Sequence, residues 1–395
     1  MLFLRKEGLS LMSTKKPSDT IFIHASQLDP QLNAVVPPIY RATTYHQTNP
    51  WAPSAFDYAR SGNPTREALE TAMATIEGGV RGFAFSSGMA ALTATFLLLS
   101  AGDHLLVTRD CQGGTQRVLR GVFSRFNIAV TYVDTDQVED LDQAIEPNTR
   151  AILVENFSNP FLQVANVPAI VDWAHRHQLA VWIDNTFVTP YLQNPLTLGA
   201  DLVLHSGTKM IGGHSDVTAG VAVVRTQELA QQLYFIQNAC GPILSPDDSY
   251  MVHRGLRTLP IRMRQASQTA MVLAHALTSH PALSQVFYPG LPSHPGHAVA
   301  KETMVTDRGF GQMVTFRLRD GALVPQLAKR LHFSRIGAGL GGTETIVSLP
   351  ELHCHAALTQ EERNQRQITS DVVRVSVGLE DPTDLVDDFL KALQK

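Results

Sequence analysis

The chain has 395 residues, a formal net charge of −4, and a composition that is 44% hydrophobic and 17% charged. This length suits two domains of ordinary size, or one large α/β unit with an appendage. The small negative charge gives no basic field for nucleic acid or an anionic membrane. Three scattered cysteines exclude a disulfide framework and indicate a reducing, cytoplasmic compartment.

The N-terminal stretch 1–57 is rich in proline and threonine and has little periodicity, so we expect an arm that lies on something else. Its first residues lack the long apolar run and the small-residue cleavage site of a signal peptide. Met12 is an alternative start to Met1, because MSTKK resembles an ordinary cytosolic N terminus. The uncharged stretch 82–102 approaches membrane-span length, but its serines and threonines favour a buried helix of an α/β protein.

Short apolar runs alternate with amphipathic segments from about 80 to 225. The runs are rich in β-branched residues and apolar on both faces, which predicts parallel strands covered by helices on each side. Repeated alternation of this kind predicts a doubly wound, mostly parallel α/β sheet of seven strands with right-handed crossovers. The predicted strands are 81–86, 104–108, 128–133, 151–156, 179–184, 201–205 and 220–224, and the predicted helices include 87–100, 136–146 and 167–178.

The pattern changes after about residue 250, where a long helix is followed by separate strands and shorter helices. This change indicates a smaller α+β domain at the C terminus. The predicted elements are a helix at 247–280, strands at 312–318 and 372–378, and helices near 323–332 and 383–394. The predicted domain limits are 1–57 for the arm, 58–248 for the large domain and 249–395 for the small domain.

Polar residues follow several predicted strands of the large domain. Ligands of open α/β sheets bind at the carboxyl ends of the strands, so these positions are the first place to look for chemistry. One strand leads into HSGTK, where Lys209 stands in an otherwise uncharged context. A lysine beside buried strands loses affinity for its proton and becomes nucleophilic, although a plain surface lysine is the alternative. The polar strand ends are Ser86, Ser87, Glu155, Asn156, Asp184, Asn185, His205 and Ser206.

Two further features favour a pyridoxal phosphate site around this lysine. Asp184 ends the preceding strand, where a buried carboxylate can keep the pyridine nitrogen protonated. The stretch FSSGMAAL turns through glycine into a helix, so the N–H groups of Gly88 and Met89 point at a phosphate. Ser206 and Thr208 are placed to donate hydrogen bonds to the same anion. A helix cap and a plain turn are the alternatives for Asp184 and Gly88, and the ordered set favours the cofactor.

The chain resembles the cystathionine synthase and lyase family of pyridoxal-phosphate enzymes, of fold type I, from about residue 20 to its end. The resemblance implies that Lys209 holds the cofactor as a Schiff base and then moves protons between Cα, C4′ and Cβ or Cγ. It implies that Asp184 pairs with the pyridine nitrogen, and that Gly88, Met89, Ser206 and Thr208 bind the phosphate. The motifs that carry it are YARSGNPT, SSGMAAL, GGTQR, SNP, DNTF, HSGTKMIGGHSD, SPDDSYMVHRGLRTLPIRM, YPGLPSHPGH and RVSVGLED.

The same resemblance implies roles for residues outside the phosphate turn. Tyr58 and Arg60 reach the phosphate of a neighbouring subunit, so the site is shared across a dimer within a homotetramer. Asn159 contacts the phenolic oxygen of the cofactor. Arg374 binds the substrate carboxylate as a bidentate fork, and Arg117 offers a second cation near the substrate.

Four positions depart from the family pattern. Gln112 stands where similar enzymes have a tyrosine that stacks on the ring and takes or gives a proton, and an amide side chain does not titrate usefully. Loss of one positioned acid–base group typically costs about 10²–10⁴-fold in rate. Gly339 replaces a serine that helps fix the substrate carboxylate, and Ala338 replaces a glutamate found in many relatives that use cystathionine. Gly114 replaces a cysteine typical of methionine γ-lyases.

The leading hypothesis is a carbon–sulfur lyase that performs β- or γ-elimination on cystathionine, cysteine or homocysteine, releasing a thiol, ammonia and a 2-oxo acid. One alternative is a γ-replacement synthase that acts on an O-acyl-homoserine. Another is a relative of low activity that binds pyridoxal phosphate, an idea that the departures at Gln112, Ala338 and Gly339 motivate. The histidines of 175–177 and 353–355 resemble metal-ligand pairs but lack further partners at site spacing, so no metal site is predicted.

Overall fold

The computed structural model describes residues 18–26, 32–52, 54–356 and 358–394. The predicted arm at 1–57 is therefore described in part, and the alternative start at Met12 lies outside the described residues. The described part of the arm exposes large apolar side chains, among them Trp51, which is 90% exposed, and Leu32, which is 80% exposed.

A seven-stranded sheet forms the centre of the larger part of the molecule. Its strands run in the order β1-β7-β6-β5-β4-β2-β3. Strand β7 pairs antiparallel with β1 and β6, and the other pairings are parallel. The prediction of a mostly parallel sheet of seven strands is confirmed. The strands are β1 Arg81–Phe85, β2 His104–Thr108, β3 Ala129–Val133, β4 Thr149–Glu155, β5 Ala180–Asp184, β6 Leu202–Ser206 and β7 Gly220–Val224.

Helices cover both faces of this sheet because its strands are apolar on both sides. Along β5 and β6, Ile183 and Val203 pack into one core cluster, whereas Trp182 and Leu204 pack into a second one on the opposite face. This alternation fixes a doubly wound arrangement. The helices of this part are α1 Asp19–His24, α2 Pro64–Glu77, α3 Gly88–Phe96, α4 Gly113–Gly121, α5 Val167–Arg176, α6 Thr189–Leu192 and α7 Gln227–Cys240.

The helix predicted at 136–146 is present as a shorter 3₁₀-helix at Val138–Ala144 and not as an α-helix. The segment carries three acidic residues within four positions around Asp140, and no side chain caps its N-terminal end. Aspartate side chains compete for backbone hydrogen bonds and disfavour a helix interior. Helices α2 and α7 were not predicted. A further 3₁₀-helix at Phe123–Phe126 follows α4, and another at Pro195–Leu198 precedes β6.

A smaller five-stranded sheet lies in the C-terminal part, with the order β10-β11-β12-β9-β8 and its own core cluster. The 33-residue helix α8 packs against α2 on one side and against elements of the smaller sheet on the other. The domain limits themselves stay a prediction. The elements are α8 Pro246–Thr278, β8 Leu283–Phe287, α9 His297–Thr303, β9 Met313–Leu318, α10 Val324–Arg330, β10 Arg335–Ile336, β11 Ile346–Ser348, α11 Gln360–Gln365, β12 Val372–Ser376 and α12 Pro382–Ala392, with 3₁₀-helices at Thr306–Arg308 and Gly321–Leu323.

Among the described residues, no helix is both long and apolar enough to cross a bilayer. The uncharged stretch 82–102 instead contains most of β1 and all of α3, which contribute to the core of the large sheet.

Candidate functional site

A cavity of about 290 Å³ lies at the carboxyl ends of β4, β5 and β6. The large sheet supplies most of its wall, and residues of the C-terminal part close the other side. The structure therefore brings together residues that are up to 287 positions apart in the sequence, from Ser87 to Arg374. The predicted site residues that line the cavity are Gly88, Met89, Gln112, Asn159, Asp184, Ser206, Thr208, Lys209 and Arg374, and Ala338 lines it as well.

The turn before α3 presents free N–H groups to the cavity. Ser87 caps the helix by accepting a hydrogen bond from the N–H of Ala90 at 3.0 Å. The N–H groups of Gly88 and Met89 belong to the first turn, where no intrahelical acceptor exists. A side chain at position 88 would lie 3.0 Å from Cβ of Ser206, so glycine is what lets the turn and β6 approach. This arrangement can bind an anion between the helix start and the Ser206 hydroxyl.

The loop that follows β6 is anchored to helix α8 by hydrogen bonds. The guanidinium of Arg262 on α8 donates to the carbonyls of Met210 at 2.7 Å and Ile211 at 3.2 Å. Gly213 has a φ of 73°, and a Cβ there would lie 2.0 Å from Nη1 of Arg262. The glycines after Lys209 therefore allow α8 to fix the loop that carries the lysine.

Lys209 is half-buried, and no carboxylate pairs with its amine among the described residues. Burial lowers the pKa of Lys209, and the positive charge of Arg374 lowers it further. A larger fraction of the amine is therefore neutral and nucleophilic than in an exposed lysine.

Two carboxyl groups lie side by side where β4 and β5 end, since Glu155 pairs with Asp184 in the register of the sheet. Asp184 accepts hydrogen bonds from the Thr186 N–H at 3.0 Å and the Thr186 hydroxyl at 2.5 Å. Glu155 accepts one from the N–H of Gln112 at 2.5 Å. Burial raises the pKa of Asp184, and burial together with the charge of Asp184 raises the pKa of Glu155 well above its usual value. The pair therefore favours one ionised and one protonated carboxyl.

Strand β12 delivers a buried cation from the smaller sheet. Arg374 is 1% exposed and donates from Nη1 to Oδ1 of Asn159 at 3.0 Å. Its Nε has no hydrogen-bond partner in the structure. The bond occupies the oxygen of the Asn159 amide and leaves its NH₂ group as the available donor. A buried guanidinium with an unsatisfied N–H is a binding site for a carboxylate.

Gln112 begins α4 and acts as its N-cap. Its Oε1 accepts a hydrogen bond from the N–H of Gly114 at 3.1 Å, while its own N–H is bonded to Glu155. A Cβ at Gly113 would lie 2.3 Å from the carbonyl oxygen of Cys354, so this glycine lets the C-terminal segment reach the start of α4. Gln112 thus has a structural role at the helix start while it lines the cavity.

Several predicted site residues lie elsewhere in this subunit. Tyr58 is 42% exposed, and Arg60 is exposed and bonds through Nε to Oδ1 of Asn238 at 3.3 Å. Arg117 is exposed and lines a neighbouring groove instead of the cavity. Gly339 lies between two lining residues, and a Cβ there would be 3.1 Å from Cδ1 of Ile346.

Thr208 lines the cavity, but its hydroxyl is already engaged. It donates to the carbonyl of Ala219 at 3.2 Å and accepts from the N–H of the same residue at 2.9 Å. Its predicted bond to a phosphate would therefore require the hydroxyl hydrogen to turn away from that carbonyl.

The lining residues without a predicted role include Glu155 and Cys354. The position of Glu155 at a strand end was a usable signal for the first. The histidines that flank Cys354 drew attention to metal binding only, and no local pattern indicates that its segment reaches the cavity. A larger groove of about 1320 Å³ lies beside Phe161, but no lysine lines it among the described residues.

Comparisons with known proteins place the chain in one enzyme family. A sequence profile described as "Cys/Met metabolism PLP-dependent enzyme" matches residues 19–394. The chain is 46% identical over 362 residues to a cystathionine beta-lyase, MetC, of Bacillus subtilis (strain 168), covering 92% of each chain. It is 44% identical over 390 residues to a cystathionine gamma-synthase of Mycobacterium leprae (strain TN), covering 98% of this chain and 97% of the relative. A solved structure of a cystathionine gamma-lyase from Lactobacillus plantarum, complexed with L-serine, is similar with a TM-score of 0.92 and 39% identity over 95% of this chain and 97% of that one.

Proposed function

The chain belongs to the Cys/Met metabolism family of pyridoxal-phosphate-dependent enzymes, and we propose that it is a carbon–sulfur lyase acting on a sulfur amino acid. The proposed substrates are cystathionine, cysteine or homocysteine, and the products are a thiol, ammonia and a 2-oxo acid. One observation carries the proposal: Lys209 and Arg374 face one cavity, and neither has a carboxylate partner among the described residues. An amine without a carboxylate partner can attach a cofactor through its carbonyl group, and a guanidinium without one can bind the carboxylate of a substrate.

The residues present fit pyridoxal phosphate. The free N–H groups at the start of α3 and the Ser206 hydroxyl form an anion site that a Cβ at Gly88 would obstruct. Asp184, held by Thr186, lies on the same wall as a partner for a protonated ring nitrogen. Lys209 is the covalent attachment point that we propose. The Asn159 NH₂ group is left to donate to the phenolic oxygen, because Arg374 occupies the amide oxygen.

Pyridoxal phosphate, when bound, supplies a ring that withdraws electrons from Cα of an attached amino acid. The residues of the chain do the rest. Asp184 holds a proton on the ring nitrogen, and Arg374 fixes the substrate carboxylate and thereby the direction of the Cα–H bond. The amine of Lys209 would remove the Cα proton, because its lowered pKa favours the neutral form.

The leaving sulfur needs a proton, and Gln112 has none to give near neutral pH. We propose that Lys209 delivers to sulfur the proton that it has taken from Cα. In that case one residue does the work that a lysine and a tyrosine share in similar enzymes. The test compares the chain with Gln112→Tyr on cystathionine, cysteine and homocysteine, measuring 2-oxo acid release.

A rise of about 10²-fold or more in the tyrosine variant would mean that the glutamine costs the chain an acid–base group. A fall on any substrate would mean that Gln112 is adapted to that substrate. Gln112→Ala is the matched control, since it removes both the amide and the cap to Gly114 without adding an acid. A variant panel in which no protein turns over any substrate, although each binds the cofactor, would instead support the low-activity alternative.

The preference for elimination over replacement rests on the number of carboxylate sites. Arg374 is the one guanidinium that lines the cavity among the described residues of this subunit, and Arg117 lies outside. Replacement by cysteine requires room for a second amino acid beside the first, whereas elimination from cysteine or homocysteine requires only one. Ala338 in the cavity wall offers no carboxylate for a distal ammonium, which argues against cysteine as a second substrate and equally against cystathionine as the preferred lyase substrate.

The relative named cystathionine gamma-synthase, 44% identical over nearly the whole chain, makes γ-replacement a second candidate. The two are separated by incubating the enzyme with O-acetyl- or O-succinylhomoserine in the presence of cysteine. Rapid formation of cystathionine, with no 2-oxo acid from any sulfur amino acid, would refute the lyase proposal.

We propose that the active unit is a homodimer within a homotetramer, with Tyr58 and Arg60 completing the cavity of a neighbouring subunit. Both are exposed, and the arm around Trp51 carries a set of exposed apolar side chains that suits an interface. Mixing Lys209→Ala with Arg60→Ala chains tests the arrangement. If sites are shared, half of the dimers are hybrids with one intact site each, so about a quarter of the wild-type activity returns. No recovery, with hybrid formation shown by native mass spectrometry, would mean that each subunit builds its own site.

A further inference from the structure

We propose that Cys354 is a modification site inside the active-site cavity, where small disulfides that carry a carboxylate form a reversible mixed disulfide and block Arg374. The inference goes beyond the proposed reaction and rests on it only for the carboxylate-binding role of Arg374. The class of ligand is the oxidised, disulfide form of a thiol acid, such as the thiol product of the proposed lyase.

The Cys354 thiol lies beside the guanidinium of Arg374, which has an unsatisfied N–H group. Sγ of Cys354 lies 3.7 Å from Nη1 of Arg374 and 3.8 Å from Oδ1 of Asn159, and Cys354 lines the cavity together with both. Arg374 is 1% exposed, and its Nε has no hydrogen-bond partner. This buried, unsatisfied donor is a second and independent sign that an anionic ligand binds next to the thiol.

Two nitrogen groups lie beside the Cys354 thiol, the guanidinium of Arg374 and the imidazole of His355. His355 places Nδ1 3.1 Å from Sγ and is fully buried, with its pKa lowered to about 3 mainly by burial and then by Arg374. The imidazole is therefore neutral at physiological pH and adds no positive charge of its own beside the thiol.

The other two cysteines provide internal comparisons. Cys111 is fully buried, and burial raises its pKa well above the usual value, so it should not react in the folded protein. Cys240 is exposed at the end of α7 and lines the neighbouring groove. Cys354 is half-buried, so reagents reach it through the cavity.

The reaction is a thiol–disulfide exchange that needs no oxidant. The Cys354 thiolate attacks one sulfur of the disulfide, a new bond forms between the two sulfur atoms, and the original S–S bond breaks. The second half of the reagent leaves as a thiolate and takes up the proton that Cys354 lost. A free thiol reverses the exchange by the same route, so reduced product would restore the site that oxidised product blocks.

The separation between the carboxylate and the sulfur of the ligand is set by its two partners, Arg374 and Cys354. With its carboxylate on Arg374, an amino acid whose sulfur is on Cβ carries that sulfur two carbons from the carboxylate carbon. Dithiodipropionate has the same spacing and no amino group, so it cannot become a substrate of the proposed reaction. It is therefore the probe, with hydroxyethyl disulfide as the neutral control and cystamine as the cationic one.

The test uses the full-length holoenzyme in a Cys240→Ser background, with adducts located by peptide mass spectrometry. We expect dithiodipropionate to label Cys354 about tenfold faster or more than hydroxyethyl disulfide, and cystamine to be slowest, because a charge-assisted bond to Arg374 retains the anion. Arg374→Met should remove the preference, and Cys354→Ser should remove the label. Residual activity should fall in proportion to the adduct and return with dithiothreitol.

Equal labelling of Cys354 by the anionic and the neutral disulfide would overturn the proposal. So would an unlabelled Cys354 in the protein that retains Cys240, if Cys240 is labelled there. An adduct that leaves activity unchanged would overturn the block of Arg374. Because labelling is read as mass, its outcome is independent of turnover. Labelling without 2-oxo acid release in untreated enzyme would count against the proposed lyase and leave this inference standing.

Discussion

A single methyl group at Gly220 should disrupt the phosphate turn from beneath. Gly220 is the first residue of β7 and lies between Phe85 and Ser206 in the sheet register. A Cβ built there would lie 2.1 Å from the carbonyl oxygen of Ser87 and 2.9 Å from the nitrogen of Gly88. Both contacts are with backbone, so no flexible side chain can move aside.

The magnitude follows from these distances. Ordinary contact begins at 3.4 Å, so the turn must shift by about 1.3 Å to accommodate the methyl group of Gly220→Ala. Overpacking of this kind typically destabilises a protein by about 1–3 kcal/mol. A displacement of about 1 Å in a binding group also weakens its hydrogen bonds, and charge-assisted bonds are worth about 1.5–3 kcal/mol. We therefore expect about 10–100-fold weaker binding of pyridoxal phosphate.

The assay is a titration of cofactor-free protein with pyridoxal phosphate, followed by the visible absorbance of the lysine-bound cofactor, together with urea unfolding. Gly121→Ala is the matched control, since a Cβ at that helical position meets nothing within 4 Å. The two glycines thus receive the same chemical change in opposite environments. If Gly220→Ala unfolds at lower urea than Gly121→Ala but binds the cofactor as tightly, the assignment of the turn as the phosphate site is wrong. If neither quantity changes, the turn accommodates the methyl group and the predicted clash is wrong.

Two further predictions concern proton binding in the cavity. Burial and Arg374 lower the pKa of Lys209, so its neutral amine persists to lower pH. In cofactor-free protein, Arg374→Met should move the pH profile of Lys209 labelling by a small aldehyde and borohydride to higher pH, with Lys209→Ala as background. An unchanged profile would mean that the Arg374 charge does not act on the amine. Burial and Asp184 raise the pKa of Glu155, so the stability it contributes is full below its ordinary value of 4.5 and is lost as pH rises through its folded value. Glu155→Gln should flatten this decline in urea unfolding of the cofactor-free protein, and parallel slopes in both proteins would contradict it.

Most of the fold could be predicted from local patterns. The apolar, β-branched runs predicted the strands of the large sheet, because strands buried on both faces need no alternation and leave a continuous signal. Helix α7 was not predicted, because several of its residues, such as Phe235, are exposed and interrupt the helical periodicity of its apolar residues. The segment at 136–146 has an apolar period but too many acidic residues to keep α-helical hydrogen bonds.

The site divides into a part that local sequence indicates and a part that it does not. Gly88 and Lys209 follow strands and Asp184 ends one, so a doubly wound sheet alone places them at one edge. Arg374 lies in the middle of β12 in another sheet, and only the family resemblance pointed to it. Cys354 reaches the cavity because Gly113 leaves room for its carbonyl at the start of α4. Contacts of this kind depend on tertiary packing between distant segments, which no local pattern encodes.

This division also separates two kinds of change in the chain. The large sheet provides the groups that suit the cofactor, and their pattern in this sequence keeps the family motifs. The smaller sheet and its loops provide the groups that suit the substrate, and there Ala338 and Gly339 depart from the pattern. Gln112 lies at the boundary, because it caps α4, touches Glu155 of the large sheet and begins the turn on which the Cys354 segment rests. A change at this boundary can alter the choice of substrate without loss of cofactor. Comparison of Gln112→Tyr with Ala338→Glu therefore separates proton transfer from substrate recognition. Gln112→Tyr should change the maximal rate, whereas Ala338→Glu should change the apparent affinity for an amino acid with a distal ammonium.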